Sequence, residues 1–318
     1  MANFATTRWM ILAEAAEASK NGKLDLLQRL ADAAVLTAGE VNDSCILTSA
    51  CAKGRLDVVK WLAERYGVAD APRRFAEACG GGALETAVWL ATAFGLTAAD
   101  ARRCENEALR CACAGGHLAV AQWLVTAFGL TAADARSCDN EALCRACWNG
   151  HLETAQWLAA AFGLGPTDAR ASNNEALRIA CARGHIATAR WLAATFGLGP
   201  ADARAEDNFA LRFACRNDLL GVAKWLANHF GLTPADARAR DNEALRHACD
   251  GGYLATAQWL ARRFGLGPAD ARSCNNEALR GACWHGHLAV VRWMAGHFGL
   301  TAEDACTKGG AAVGRAAD

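Results

Sequence analysis

The sequence has no excess of either charge, no long apolar run and no pattern typical of a signal peptide at its start. Its 318 residues include 33 Lys and Arg against 33 Asp and Glu, a formal net charge of +0. A nucleic-acid partner requires a basic face, so this balance argues against one. A membrane-spanning helix needs a run of about 18 apolar residues, and the sequence contains none. The N-terminal stretch shows neither the basic nor the apolar region of a signal peptide.

Cysteine is plentiful by contrast, with 15 residues. The chain is far too long for a small domain stapled by disulfides, and most of its cysteines lie in apolar segments of helical pattern. We therefore predict reduced thiols and a cytoplasmic, reducing location.

Internal repetition determines the predicted architecture. The segment that begins with Asn106 restarts at Asn140, Asn174, Asn208, Asn242 and Asn276, each time after 34 residues. Looser copies precede it, and the step between the turns at residues 54 and 82 is shortened to 28 residues. We predict about nine units, with turns near residues 22, 54, 82, 116, 150, 184, 218, 252 and 286.

Each unit has the pattern of two helices and no strand. In the unit that begins with Asn106, the residues Leu109, Ala112 and Cys113 recur at helical spacing and form one apolar face. Asn106 is the expected N-cap of this first helix, and a turn glycine is its expected end. The second helix ends at a Phe-Gly pair, after which Thr-x-x-Asp predicts one further helical turn. At Asn217-Asp218 the turn glycine is missing, and we expect a viable but slightly strained turn because Asn and Asp tolerate the left-handed region better than other residues.

Two further patterns recur along the chain. Tryptophan occupies the same slot of the second helix in eight units, which predicts a ladder of buried indoles. Its members are Trp61, Trp89, Trp123, Trp157, Trp191, Trp225, Trp259 and Trp293. An Asp-Ala-Arg triplet recurs after the second helix and predicts ion pairs between neighbouring units along one edge, with an anion-binding stripe as the alternative.

The unit pattern "ALRxACxxGHLxxAxWL" resembles the ankyrin repeat family. The linker "ADARSCDNEALC" at 133–144 is more closely similar to the divergent ankyrin arrays of large DNA viruses and protists. This resemblance implies an all-α solenoid of stacked helix pairs. The linker is shorter than the family's β-hairpin segment, so we expect a loop or helical turn in place of the hairpin.

The resemblance also gives the predicted domain organisation. We predict one ankyrin-like solenoid over residues 1–305, with 1–40 as an N-terminal capping unit. A disordered tail is predicted at 306–318, after a short helical start near 301–306.

One stretch suggests metal or thiol chemistry, Cys144-x-x-Cys147 followed by His151. Cys147 occupies a slot that holds Cys in eight units, His151 belongs to a recurring Gly-His turn, and Cys144 replaces a recurring Arg. We therefore interpret the stretch as structural, with a reactive thiol or a zinc site as alternatives. The chain has no Ser/His/Asp set and no phosphate-binding loop, so we predict no catalytic residue, no metal and no cofactor.

Positions that the repeat does not dictate are the candidates for function. In ankyrin repeats, one slot on the first helix and two slots before its turn face the concave groove that contacts partners, and the resemblance implies the same here. The candidates are Arg145, Trp148, Asn149, Ile179, Arg183, Phe213, Arg216, His247, Trp284 and His285. Trp148 and Trp284 lie outside the recurring tryptophan slot, and Trp and Arg are enriched at binding hot spots. The alternative is that each of these tryptophans folds over its own neighbours.

The predicted function is a non-enzymatic, monomeric scaffold that binds a protein partner along this groove, with no nucleic-acid or membrane partner. Two alternatives stay open. One is a structural spacer without a dedicated groove, and the other is an adaptor that presents targets to a degradation complex.

Overall fold

The computed structural model describes residues 2–34, 36–43 and 45–306. Helices make up 79% of the chain, and the described ranges contain no strand, which confirms the predicted all-α class. The chain divides into two compact units, the first ending at Leu164 and the second beginning at Gly165. Of the predicted tail at 306–318, Cys306 is the last residue of a short helix, and residues 307–318 lie outside the described residues.

The first compact unit contains five helix pairs, three of them followed by a short helix. In chain order its helices are α1 (Ala2–Lys20), α2 (Leu24–Ala34), α3 (Ala38–Asp43), α4 (Cys45–Ala52), α5 (Leu56–Tyr66), α6 (Ala71–Gly80), α7 (Leu84–Ala93), α8 (Ala98–Ala101), α9 (Arg103–Ala114), α10 (Leu118–Phe128), α11 (Ala132–Ala135), α12 (Ser137–Trp148) and α13 (Leu152–Phe162).

The second compact unit contains four helix pairs. In chain order its helices are α14 (Pro166–Ala169), α15 (Ala171–Arg183), α16 (Ile186–Phe196), α17 (Pro200–Ala203), α18 (Ala205–Arg216), α19 (Leu220–His229), α20 (Pro234–Ala237), α21 (Ala239–Asp250), α22 (Leu254–Phe264), α23 (Pro268–Ala271), α24 (Ser273–Trp284), α25 (Leu288–Phe298) and α26 (Ala302–Cys306). The nine pairs and the short helix near 301–306 are as predicted.

The turn inside each pair uses one left-handed residue. Gly150 has a φ of 74°, and Asp218 takes the equivalent position with a φ of 55°, as expected from the sequence. The Asp218 carboxylate also accepts a hydrogen bond of 2.7 Å from the hydroxyl of Thr256 in the next pair. A short polar side chain therefore replaces glycine here and adds a contact to its neighbour.

Leucine, alanine and cysteine fill the core of each pair. Leu143, Cys147 and Leu158 are at most 1% exposed, and the recurring cysteine is buried in the same way in other units. Burial raises the pKa of the Cys51 thiol to about 12 and that of Cys147 well above its ordinary value, since a thiolate loses its hydration there. These cysteines behave as small apolar side chains.

The recurring tryptophans are half-buried rather than fully buried, so the predicted core ladder is wrong. The Trp157 indole packs edge to face on Phe162, with ring centroids 6.0 Å apart. The next residue, Leu158, is 0% exposed and shares the inner face with Ala155 and Phe162. Consecutive helical residues are rotated by about 100°, so Trp157 lies beside the core when Leu158 points into it.

In each pair we call the first helix the inner helix and the second the outer helix. The regular inner helices, α9, α12, α15, α18, α21 and α24, begin with a left-handed turn that the sequence did not predict. In α12, Cys138, Asp139 and Asn140 have φ values of 49°, 54° and 64°. The same turn occurs at 104–106, 172–174, 206–208, 240–242 and 274–276. The side-chain Oδ1 of Asn140 has no hydrogen-bond partner among the described residues, so the expected N-cap is not formed.

An arginine six residues along the same helix holds this turn. In α18, Arg212 donates from Nε to the carbonyl of Asp207 at 2.8 Å and from Nη2 to the carbonyl of Glu206 at 2.9 Å. Arg178 in α15 and Arg246 in α21 make the equivalent pair of bonds at 2.8 to 3.0 Å. This recurring arginine therefore stabilises backbone that costs about 1–2 kcal/mol per residue.

A short helix follows each regular pair and replaces the hairpin of the family, as expected. At α20, the backbone N–H and the hydroxyl of Thr233 donate to Asp236 at 2.7 and 2.9 Å. Arg204 of the preceding triplet donates to the same carboxylate at 2.7 and 3.1 Å. The predicted Asp–Arg pairs between neighbours are present at Arg102–Asp134, Arg170–Asp202, Arg204–Asp236, Arg238–Asp270 and Arg272–Asp304.

We predict that Leu158→Ala destabilises the chain by about 2–5 kcal/mol, since it opens a cavity in the core. Trp157→Ala should cost clearly less, because it removes a half-buried ring and one aromatic pair worth about 0.5–1.5 kcal/mol. Urea denaturation of the two variants beside the wild type measures the difference. An equal or larger loss in Trp157→Ala would restore the idea of a tryptophan core.

We predict that Cys144→Arg stabilises the chain, because it supplies the arginine that the turn at 138–140 lacks. The reciprocal variant Arg178→Cys should destabilise it by about 1–3 kcal/mol, the cost of losing two hydrogen bonds to a charged donor. Thermal unfolding of both variants tests the pair. Destabilisation by Cys144→Arg would show that the buried site rejects the larger side chain.

We predict that the Asp236 ion pair stabilises the chain at neutral pH and not in acid. Burial by itself raises the pKa of Asp236, but the hydrogen bonds from Arg204 and Thr233 outweigh it and hold the pKa below its ordinary value. With a lowered folded pKa, the contribution is complete above the unfolded pKa of about 4 and is lost as the pH falls through the folded pKa.

The matching experiment compares Asp236→Asn with wild type in urea at pH 7 and at low pH. We expect a loss of about 1–2 kcal/mol at pH 7 that shrinks as the pH falls below about 4. Glu153→Gln, at an exposed position, is the control and should change little at either pH. A penalty for Asp236→Asn that does not depend on pH contradicts the ionic origin.

Candidate partner-binding surface

The candidate positions of the first compact unit lie at the end of α12. Trp148 is 39% exposed, Asn149 is exposed, and Arg145 is half-buried. Arg145 donates from Nε to Glu141 at 2.7 Å, so its guanidinium is fixed along the helix. Asn149 donates from Nδ2 to the carbonyl of Ala114 in the preceding pair at 2.8 Å. Asn149 therefore has a structural contact, and Trp148 is the most exposed apolar group at this site.

In the second compact unit, the candidates lie on four successive inner helices. Ile179, Phe213 and His247 are half-buried, while Arg183 and Arg216 are exposed. His247 lies 3.0 Å from Glu243 of the same helix. Glu243 also accepts a hydrogen bond from Arg212 of α18. Burial raises the pKa of Glu243, but the charge of Arg212 and the bonds from both neighbours lower it overall, so this carboxyl stays ionised.

Trp284 is the most exposed aromatic side chain of α24, with 69% of its surface accessible. Its neighbour His285 lies 3.5 Å from a carboxylate oxygen of Asp250, and its ring centroid is 5.9 Å from that of His287. Leu288 at the start of α25 is 47% exposed. Two apolar side chains and the imidazole of His285 are therefore accessible at the end of this pair.

A cluster of aromatic rings and arginines surrounds Phe213, and sequence reasoning found only part of it. Phe209 stacks on Phe213 with ring centroids 4.0 Å apart and planes 15° apart. The guanidinium carbons of Arg178 and Arg216 lie 5.0 Å and 5.5 Å from these rings, and Arg212 lies 5.9 Å from both. Phe209 was missed because it occupies a slot that is Glu in the other regular units. The change from "NEAL" to "NFAL" was the signal in the sequence.

The two cysteines of the Cys144, Cys147 and His151 stretch are buried in α12, whereas His151 lies in the turn after it. Cys144 is 8% exposed and Cys147 is 0% exposed in α12. The His151 ring packs against Gly116 of the preceding turn, where a Cβ atom would approach it within 2.4 Å. Over the described part of the chain, no group of three His, Cys, Asp or Glu side chains is arranged to hold a metal ion.

The fold and this surface define a protein of the α-helical hairpin-repeat class. Residues 74–167 match the family model described as ankyrin repeats (3 copies), and no curated protein matches the chain. The match places ankyrin repeats at residues 74–167, which supports the resemblance seen in the sequence.

The matched family has a general role. Ankyrin repeats generally mediate protein–protein interaction, and the family is typically non-enzymatic. Within the described ranges, none of the helices has the length and apolar character needed to cross a membrane.

Proposed function

We propose that this chain is a non-enzymatic interaction scaffold that binds a partner protein through the free positions of its inner helices. The observation that carries the proposal is the exposure of Trp148 and Trp284. They occupy the same slot of their pairs, because 284 − 148 = 136 is four steps of 34 residues. Both remain accessible at 39% and 69% of their surface.

Two exposed tryptophans at one register offer a partner two large apolar contacts. A tryptophan side chain contributes about 150–250 Å² of contact area, most of it apolar, and is typical of hot spots. The alternative spacer has no use for an apolar group at this register. Nothing in the described pairs favours the role of degradation adaptor.

The proposal includes the setting in which the scaffold works. We propose a monomer in a reducing compartment, because the recurring cysteines are buried as thiols in the core. The assignment of 1–305 to ankyrin-like repeats and the capping role of 1–40 belong to the same proposal. Sedimentation at several concentrations measures the oligomeric state.

We predict that a photo-crosslinking amino acid at position 148 or 284 captures a discrete partner protein in extract of cells that express the chain. The same group at Gln156 or Lys224, exposed positions on the outer helices α13 and α19, is the matched control and should capture none of it. Partner identification is by mass spectrometry. Equal crosslinking from inner and outer helices, or none from either, would favour the spacer.

A further inference from the structure

The cluster around Phe209 and Phe213 lies where one link of a recurring ion-pair ladder is broken. In each intact link, an arginine of one inner helix donates from Nη1 to a glutamate of the inner helix in the next pair. Arg212 bonds Glu243 at 2.5 Å, and Arg246 bonds Glu277 at 2.5 Å. At the link between α15 and α18, Phe209 stands in the glutamate slot.

Arg178 is held in the same pose as the arginines of the intact links. Its Nε donates to the carbonyl of Asn173 at 2.8 Å, and its Nη2 donates to the carbonyl of Ser172 at 3.0 Å. These two bonds leave Nη1 as the group that would meet a carboxylate. Instead, the guanidinium lies over the Phe209 ring at 5.0 Å, and no carboxylate in the described part of the chain bonds it.

A second cation flanks the same pair of rings. Arg216 is exposed, lies 5.5 Å from the Phe213 ring, and has no ion pair with any described carboxylate. Arg212 also touches both rings, but Glu243 already neutralises it. The nearby acids Glu206 and Asp207 are engaged by Asn173 and Arg240. The cluster is therefore a stacked aromatic pair with two uncompensated guanidinium groups beside it.

We infer that this cluster binds an acidic segment of a partner protein that also carries an apolar side chain. A partner carboxylate bonds Nη1 of Arg178 as Glu243 bonds Arg212, a second carboxylate pairs with Arg216, and the apolar side chain packs on the Phe213 ring. The inference rests on the proposed function and names the chemistry of the partner at this surface.

Charge complementarity selects an acidic protein segment over other occupants. An exposed guanidinium over an aromatic ring keeps its edge free for a carboxylate, and bonds of this charge-assisted kind are strong and directional. A nucleic acid would offer phosphates, but its binding requires a broad basic surface, and the chain carries a net charge of +0. Two open cations beside two rings match a short acidic and apolar segment.

The experiment measures the anisotropy of a fluorescein-labelled peptide of repeating Asp-Glu-Phe units titrated with the full chain. A repeating Asn-Gln-Phe peptide tests the need for carboxylates, and a 12-nucleotide oligothymidylate tests the nucleic-acid alternative. We expect binding of the acidic peptide that weakens as salt is raised, with little binding of the other two probes.

Phe209→Glu is the decisive variant, because it restores the missing glutamate of the ladder. The new carboxylate should bond Nη1 of Arg178, keep the thermal midpoint at or above that of wild type, and weaken the peptide by about tenfold or more. Arg216→Glu, at an exposed position, should weaken the peptide to a similar extent without relying on repacking. The control is Gln258→Glu in the outer helix α22, which adds the same single negative charge away from the cluster. It should change the affinity for the peptide by less than about twofold.

Each outcome decides the inference. Unchanged affinity in Phe209→Glu or Arg216→Glu, equal binding of the amide peptide, or tighter binding of oligothymidylate would overturn it. The wider proposed function is judged separately: crosslinks that persist from positions 148 and 284 would leave the scaffold intact while the acidic-segment assignment fails.

Discussion

One guanidinium holds the left-handed turn in the regular inner helices other than α12, where Cys144 replaces it. Three successive non-glycine residues in the left-handed region cost about 1–2 kcal/mol each, which a short linker does not sustain by itself. Arg212 compensates with two hydrogen bonds to the carbonyls of that turn and a third to Glu243 of the next pair. Because the same side chain holds its own turn and its neighbour, local strain and repeat-to-repeat spacing are fixed together.

A second row of ion pairs fixes the other side of each linker. The aspartate of the short helix accepts hydrogen bonds from its own cap and from the arginine of the preceding triplet, as Asp236 does from Thr233 and Arg204. The linker is thus held at both ends without a β-hairpin. Neither row uses the positions near the end of the inner helix, so those positions are left to vary.

Periodicity explains why so much of the fold follows from the sequence. A 34-residue period, helical spacing of apolar residues and turn residues at fixed positions give nine pairs, the left-handed Asp218 and the short helices at Thr-x-x-Asp. The left-handed triplet could not be inferred, since Cys138 carries no marked preference for positive φ, Asn140 was expected to be an N-cap, and the holding arginine acts through space. Trp157 was placed in the core because a repeated slot shows that a residue packs regularly, but not how far its helix is rotated.

The candidate surface was predicted in part for a related reason. Free positions such as Trp148 stand out because they vary, whereas Phe209 occupies a slot that belongs to the scaffold and was read as part of it. Cys144 and Phe209 both interrupt the arginine–glutamate pattern, but the consequences differ chemically. Cys144 removes the cation and leaves a thiol that is 8% exposed, while Phe209 removes the anion and leaves the Arg178 guanidinium beside an accessible ring. Only the loss of the anion leaves a guanidinium beside stacked aromatic rings, and this combination has the chemistry of a binding site.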